Sequence, residues 1–160
     1  MNEEQELSIS LPLDTEGFLR RECPTCEREF KWLPSREQEP ASESVPESGY
    51  HCPYCAIQAP VGAWWTKPQL TFMNTTLSKE FIEPRLRDLE RSLQDMARRS
   101  RGLVSVRVES DEPAEMSPLV EMDDMRRIDF ECHPSEPVKV LDDWNRPVHC
   151  LICGGPASSA

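Results

Sequence analysis

The chain has 160 residues, of which 38% are hydrophobic and 15 are proline. This composition argues against one large apolar core, and chains with little core are often stabilised by bound metals. The formal net charge of −11 disfavours non-specific nucleic-acid binding, which depends on Lys and Arg side chains at the phosphates.

The compartment follows from the same composition. No apolar run approaches the roughly 18 residues of a membrane span, and the acidic segment after Met1 lacks the basic residues that open a signal peptide. We therefore expect a cytoplasmic protein with no membrane partner. The chain has seven cysteines, and in a reducing compartment paired cysteines are expected to be metal ligands or redox groups rather than disulfides.

The first part of the chain alternates between polar segments and a cysteine-rich one. Residues 1–16 are acidic and predict a flexible N-terminus. Residues 17–65 predict a small domain with short strands, one of them within 27–33, where polar and apolar residues alternate. Residues 34–48 are rich in Pro, Ser and Glu, which predicts a disordered insert inside this domain.

Four cysteines of this domain occur as two Cys-x₂-Cys pairs. They are Cys23, Cys26, Cys52 and Cys55. Each pair makes a tight turn that directs two sulfurs at one centre, and two such turns supply the four thiolates of a structural Zn²⁺ site. The pattern over residues 17–62 resembles the zinc-ribbon family, which implies a small metal-bound β unit with rubredoxin-like geometry. Bound iron, two redox dithiols and unligated cysteines are the alternatives.

A long helix is predicted over residues 66–101, with a kink near Pro84. Apolar residues recur along it every three or four positions, at Leu70, Met73, Leu77, Phe81, Ile82, Leu86, Leu89, Leu93 and Met96. This stripe is expected to pack on strands of the C-terminal part, and a homodimer through residues 66–99 is the alternative.

The C-terminal part, residues 102–155, predicts a small β unit followed by a tail at 156–160. Alternating segments predict strands at 103–108, 125–131 and 136–141. The acidic loop between the first two of these strands, 109–124, is expected to be solvated.

A degenerate copy of the first cysteine cluster lies in this β unit. Cys150 and Cys153 form a third Cys-x₂-Cys pair, and Cys132 begins the partner turn. Ser135 stands where the fourth cysteine would be, and a hydroxyl is a poor zinc ligand beside thiolates. His133 is therefore the candidate fourth ligand of a second Zn²⁺ site. A three-thiolate site completed by water or Ser135 is one alternative, and loss of the metal is the other.

The histidines beside the other turns are not expected to be ligands. His149 precedes Cys150 as His51 precedes Cys52, and the first site needs no histidine. An open position at the second site would allow metal catalysis with a nearby general base. Glu131 and Glu136 flank the turn, but neither lies in a recognisable deaminase or protease motif, and both are expected to be solvated carboxylates.

The sequence thus predicts an α+β protein with small zinc-ribbon units at both ends, joined by a long kinked helix. The expected function is a non-enzymatic, zinc-stabilised protein-interaction module, an adaptor or accessory subunit whose partner is basic. A nucleic-acid-binding zinc ribbon that uses the basic helix end and the tryptophans is the alternative, and an electron-transfer Cys-x₂-Cys protein is the third class considered.

Overall fold

The computed structural model describes residues 8–34, 49–100 and 117–157. The strand predicted at 103–108 and all but the first residue of the predicted insert lie outside these ranges. The described residues form two compact units: a helical unit of residues 8–10, 68–100 and 117–118, and a sheet unit of residues 11–34, 49–67 and 119–157. The segments before and after the long helix thus belong to one unit. The sequence instead predicts a separate small unit at each end of the helix.

Short antiparallel strands make up the sheet unit, together with a 3₁₀ turn at Val61–Ala63. The strands are β1 (Leu19–Glu22), β2 (Glu29–Trp32), β3 (Tyr50–His51), β4 (Gln58–Ala59), β5 (Met125–Ile128) and β6 (Val138–Leu141). The long helix consists of α1 (Lys67–Leu77), a π turn (Ser78–Ile82) and α2 (Glu83–Arg99), and all of it except Lys67 belongs to the helical unit. An α+β protein with one long helix and small antiparallel sheets is therefore confirmed in this coarse form.

The four longer strands form one sheet in the order β1-β2-β6-β5. Each hairpin contributes an outer strand and an inner strand, and the inner strands β2 and β6 pair with Lys31 opposite Lys139. The pairing is symmetric about these two lysines, because Arg20 lies opposite Lys31 and Arg127 lies opposite Lys139. A shorter hairpin follows each pair: β3–β4 after the first, and an isolated bridge between His149 and Pro156 after the second.

One face of this sheet forms the core. Leu19, Phe30, Trp32, Val138 and Val140 alternate along their strands and are buried on this face. The tryptophan of the segment after β4, Trp64, is 1% exposed and packs edge-on against Phe30 with ring centroids 5.7 Å apart. Trp32 and Trp64 thus fill much of this small core.

The opposite face carries a row of cations that crosses all four strands. These side chains are Arg20, Lys31, Lys139 and Arg127, in spatial order. Lys31 is fully buried and Lys139 is 2% exposed. Buried ammonium groups need anionic partners, since an isolated charge is costly to remove from water.

Acidic residues just before each outer strand supply these partners. Before β1, Asp14 contacts Lys139 at 2.8 Å and Lys31 at 3.5 Å. Before β5, Glu121 contacts Lys31 at 2.9 Å and Arg20 at 2.8 Å. Lys31 also donates to the carbonyl of Met122. The expectation of a solvated 109–124 loop is wrong at Glu121, whose side chain is 5% exposed because it covers the cation row.

The long helix contains a π turn rather than a simple kink. This turn ends at Ile82, two residues before Pro84, which lies in the first turn of α2. Proline lacks an amide donor and its ring crowds the carbonyl of the preceding turn, so widening that turn accommodates it. No residue of α2 is buried, so the expected burial of its apolar stripe is not found among the described residues.

Candidate metal centres

Three of the cysteine turns have the same backbone hydrogen bonds. The amide of the first cysteine donates to the carbonyl five residues later, and the amide four residues later donates to the cysteine carbonyl. The sets are Cys23 with Arg28 and Glu27, Cys52 with Ile57 and Ala56, and Cys150 with Gly155 and Gly154. The residue four positions after the cysteine has a positive φ in all three turns, at 56°, 60° and 69°. Each of these turns lies at the tip of a hairpin.

The first two turns bring four sulfurs together. The Sγ atoms of Cys23, Cys26, Cys52 and Cys55 all lie within 4.8 Å of one another. Two of the separations are 3.8 Å (Cys23 to Cys55) and 3.7 Å (Cys26 to Cys52). Two thiolates on one tetrahedral Zn²⁺, each at about 2.3 Å, lie about 3.8 Å apart, whereas disulfide sulfurs lie about 2.05 Å apart. The cluster therefore fits a tetrahedral metal and is not a pair of disulfides.

The first cluster is part of the core, since Cys23 is 1% and Cys52 is 0% exposed. Burial raises the pKa of the Cys52 thiol well above its ordinary value. Burial also opposes ionisation of Cys23, but the amides of Cys26 and Thr25 donate to its sulfur at 3.4 Å and lower its pKa overall. A metal ion that binds here must displace thiol protons, so its affinity rises with pH.

The fourth turn departs from the other three. After Cys132, the amide of Glu136 donates to the carbonyl of His133 at 2.9 Å rather than to the cysteine carbonyl. Glu136 is also 4% exposed, so the expectation of a solvated carboxylate is wrong there, whereas Glu131 is exposed as predicted. The turn in which Ser135 stands in place of a cysteine thus also differs from the other three in its backbone hydrogen bond.

This altered turn presents His133 to the third turn. The ligand atoms of Cys132, His133, Cys150 and Cys153 all lie within 4.8 Å of one another. His133 Nδ1 is 3.4 Å from Cys150 Sγ, and Cys153 Sγ is 3.6 Å from Cys132 Sγ. A tetrahedral Zn²⁺ with thiolate and imidazole ligands places sulfur and nitrogen about 3.5 Å apart. The second cluster has one imidazole and three sulfurs at separations that fit a tetrahedral ion.

The second cluster is more accessible than the first. Cys150 is fully buried, but Cys132 and Cys153 are exposed and His133 is half-buried. Burial raises the pKa of Cys150 to about 11, while the amide of Gly155 lowers the pKa of Cys153. Metal at this cluster is expected to exchange faster, because solvent and chelators reach two of its sulfurs.

His149 is not part of the second cluster, in line with the sequence analysis. Its Nδ1 lies 3.1 Å from the carbonyl of Gly154. Its amide donates to the carbonyl of Pro53 at 2.9 Å, and the amide of His51 donates to the carbonyl of Leu151 at 2.8 Å. These two bonds are reciprocal, since each joins the residue before one Cys-x₂-Cys turn to the residue after the first cysteine of the other. The second and third turns therefore pack as an equivalent pair.

One side chain of the second turn ties the clusters to the sheet. The Tyr54 hydroxyl donates to the carbonyl of Glu29 in β2 at 2.8 Å and accepts from the amide of Leu141 in β6 at 3.0 Å. Burial raises the pKa of Tyr54 to about 12, so this hydroxyl stays protonated at neutral pH. Sequence reasoning missed this role, because nothing in the motif shows what a residue between two ligands contacts.

Comparison of the chain with protein-family models, curated proteins and solved structures gives no match. The assignment of these clusters therefore depends on their own geometry. Within the described part of the chain, neither helical segment combines the length and the apolar character that crossing a membrane requires.

Proposed function

We propose that this protein is a non-enzymatic protein-interaction module stabilised by two Zn²⁺ ions. The observation that carries the proposal is the ligand spacing, which fits a tetrahedral ion at both clusters. One ion would be held by Cys23, Cys26, Cys52 and Cys55, and the other by Cys132, His133, Cys150 and Cys153.

A structural role for both ions follows from the ligand sets. Four protein ligands fill a tetrahedron, whereas catalytic zinc keeps a position for water or substrate. Cys23, Cys52 and Cys150 lie inside the hydrophobic core, so metal binding and core formation are coupled. An acidic protein with a net charge of −11 favours association with a basic partner.

Native mass spectrometry tests the metal content directly. We expect two zinc ions per wild-type chain and one in Cys132→Ser. Cys52→Ser is expected to lose the first ion and part of its thermal stability, because that thiol is in the core. A wild-type chain that is folded but free of metal would overturn the proposal.

The fourth ligand of the second site is tested by two matched histidine variants. His133→Asn is expected to lose the second zinc to a competing chelator at least about tenfold faster than wild type, since an amide oxygen binds zinc poorly. His149→Asn is the control, because its ring faces the Gly154 carbonyl and not the cluster. Equal retention in both variants would exclude His133 as a ligand and favour water or Ser135.

Nucleic-acid binding is a second candidate function, favoured by a cationic surface around Trp144. The guanidinium carbons of Arg28 and Arg146 lie 5.1 and 5.7 Å from its ring centroid, and Arg126 donates to its carbonyl at 2.8 Å. Arg126 and Arg146 also line a groove of about 880 Å³. An aromatic ring among guanidinium groups can stack a base while the cations neutralise phosphates.

Filter binding of single-stranded DNA and RNA at two salt concentrations separates the two functions. If this surface binds nucleic acid, affinity falls with salt, and Arg126→Ala weakens binding more than Arg91→Ala on the exposed face of α2. Absence of binding at both salt concentrations removes this candidate.

A further inference from the structure

The apolar stripe of α2 is exposed although the helix is strongly amphipathic. Ile82 at the end of the π turn is 48% exposed, and Leu86, Leu89 and Met96 are 52%, 53% and 59% exposed. Leu93 completes the stripe and is half-buried. These residues are spaced four, three, four and three apart, which is the heptad spacing of a two-stranded coiled coil. Leu86 and Leu93 take the a positions, and the other three take the d positions.

The charges beside the stripe indicate which partner it fits. The e positions on one side are acidic, at Glu83 and Glu90, and the g positions on the other side include Arg85 and Arg99. In a parallel pair of identical helices, each g residue lies beside the e residue five positions later on the other helix. Arg85 therefore meets Glu90 of a second copy, and symmetry produces this pair twice.

The antiparallel arrangement is disfavoured by the same charges. In that orientation e positions face e positions and g positions face g positions, so Glu90 would lie near Glu90 and Arg85 near Arg99 of the other helix. Like charges at such positions are destabilising. Pro84 takes an outward f position in the first helical turn, where it does not obstruct a partner helix.

We propose that α2 forms a parallel, in-register two-stranded coiled coil with α2 of a second copy of this chain. The inference adds a second copy of the chain as a partner of the interaction module proposed above, beside its basic partner. It rests on that role, but it does not depend on the metal ions. The 17 residues of α2 span only about two and a half heptads, so the dimer is expected to be reversible and concentration-dependent.

Sedimentation equilibrium of the full-length chain over a concentration series tests the dimer. Leu89→Asp is expected to abolish association, because it places a carboxylate in the centre of the seam. Circular dichroism of each variant establishes that the helix is retained. A wild-type chain that remains monomeric at every concentration overturns the proposal, including the case in which the stripe binds a different protein.

Charge reversal tests the parallel register. Arg85→Glu and Glu90→Arg are each expected to raise the dimer dissociation constant about tenfold, because each creates two like-charge pairs. The double variant restores opposite charges and is expected to return to the wild-type constant. Arg91→Glu is the matched control, since Arg85 and Arg91 each lie three residues from Asp88 and only Arg85 borders the stripe. Failure of the double variant to recover overturns the parallel arrangement.

Zinc content is measured by native mass spectrometry on the same samples. A monomeric wild type that holds two zinc ions refutes self-association and leaves the zinc module intact. A dimer that holds no zinc supports self-association and refutes the proposed zinc-dependent function.

Discussion

Gly154 shows how one residue joins the two clusters. It is the positive-φ residue of the third cysteine turn, with φ of 69°. A Cβ atom at this position would lie 2.8 Å from Cδ2 of His51, which precedes the second turn. Ala56 occupies the equivalent position of the second turn at φ 60°, so the backbone conformation alone does not require glycine there. The close approach of the His51 ring does.

We therefore predict that Gly154→Ala destabilises the sheet unit and weakens zinc binding at the second cluster. The left-handed conformation costs an alanine about 1 kcal/mol relative to glycine, and the contact with His51 adds to this. Thermal unfolding and zinc competition measure the two effects. Adding His51→Ala to Gly154→Ala is expected to restore the part of the lost stability that the contact with the His51 ring causes.

Gly62→Ala is the control for this prediction, because a Cβ atom there meets nothing within 4 Å and the turn is exposed. An equal loss from Gly62→Ala and Gly154→Ala, or no recovery with His51→Ala, would show that the close packing of the two turns is not the cause.

At the level of residues, the sequence identified the candidate metal ligands but not the acidic residues that pair with the row of cations on the sheet. The Cys-x₂-Cys turn is a local structure of a few residues, so spacing alone identifies it. Asp14 and Glu121 lie six residues before Arg20 and Arg127, respectively. Both segments thus place an acidic residue, an apolar residue and an arginine at the same spacing, and this repeat indicates that the two segments play equivalent parts. The repeat is difficult to recognise, because neither segment contains a cysteine that marks it.

Elements were predicted best where one local pattern decides them. β2, β5 and β6 lie inside the segments predicted to be strands, and α1 begins at Lys67, one residue after the predicted start. The altered fourth turn was indicated by Ser135. Its backbone bond between Glu136 and His133 could not be read from the sequence, because one missing ligand does not specify the replacement turn.

The π turn changes how the two parts of the long helix relate. Leu77 in α1 and Leu86 in α2 are nine residues apart, which at about 100° per residue would place them on opposite faces of an unbroken α-helix. A π turn inserts about one extra residue, so the effective separation becomes about eight residues and the angle about 80°. Pro84 predicted a kink, but not this rotation, which brings the apolar residues of α1 and α2 closer to the same face of the helix.

In the sheet unit, the buried ion pairs attach the segments that precede β1 and β5 to the sheet. Burial opposes ionisation of Asp14, but the Lys139 ammonium and the amides of Phe18 and Glu16 outweigh it and lower its pKa. A carboxylate with a depressed pKa stabilises the folded state at pH values above its unfolded pKa of about 3.9. That contribution is lost as the pH falls through the folded pKa.

Asp14→Asn is predicted to lower the free energy of unfolding by about 3 kcal/mol near pH 7, because it removes one partner from a buried ion cluster. The difference from wild type should shrink below about pH 4, where Asp14 itself becomes neutral. Denaturant unfolding at several pH values measures this difference, in which acid-induced metal loss largely cancels because both chains share it.

Asp88→Asn supplies the control, since that residue pairs with Arg91 on an exposed helix surface. Its effect is expected to stay within about 0.5 kcal/mol at every pH. A difference between wild type and Asp14→Asn that persists unchanged at pH 2 would contradict the assigned role of the carboxylate.

The sequence by itself determined the cysteine turns, the long helix with its stripe, and the grouping of candidate ligands into an intact set and a degenerate set. The turns and the stripe depend on residues within one or two turns of each other, and the grouping follows from the order of the cysteine turns along the chain. Only the tertiary structure decided that β2 pairs with β6, that Tyr54 bridges them, and that Glu121 covers Lys31. Such contacts join residues far apart in the chain, and they form because a buried amide, hydroxyl or charge needs a polar partner to replace water.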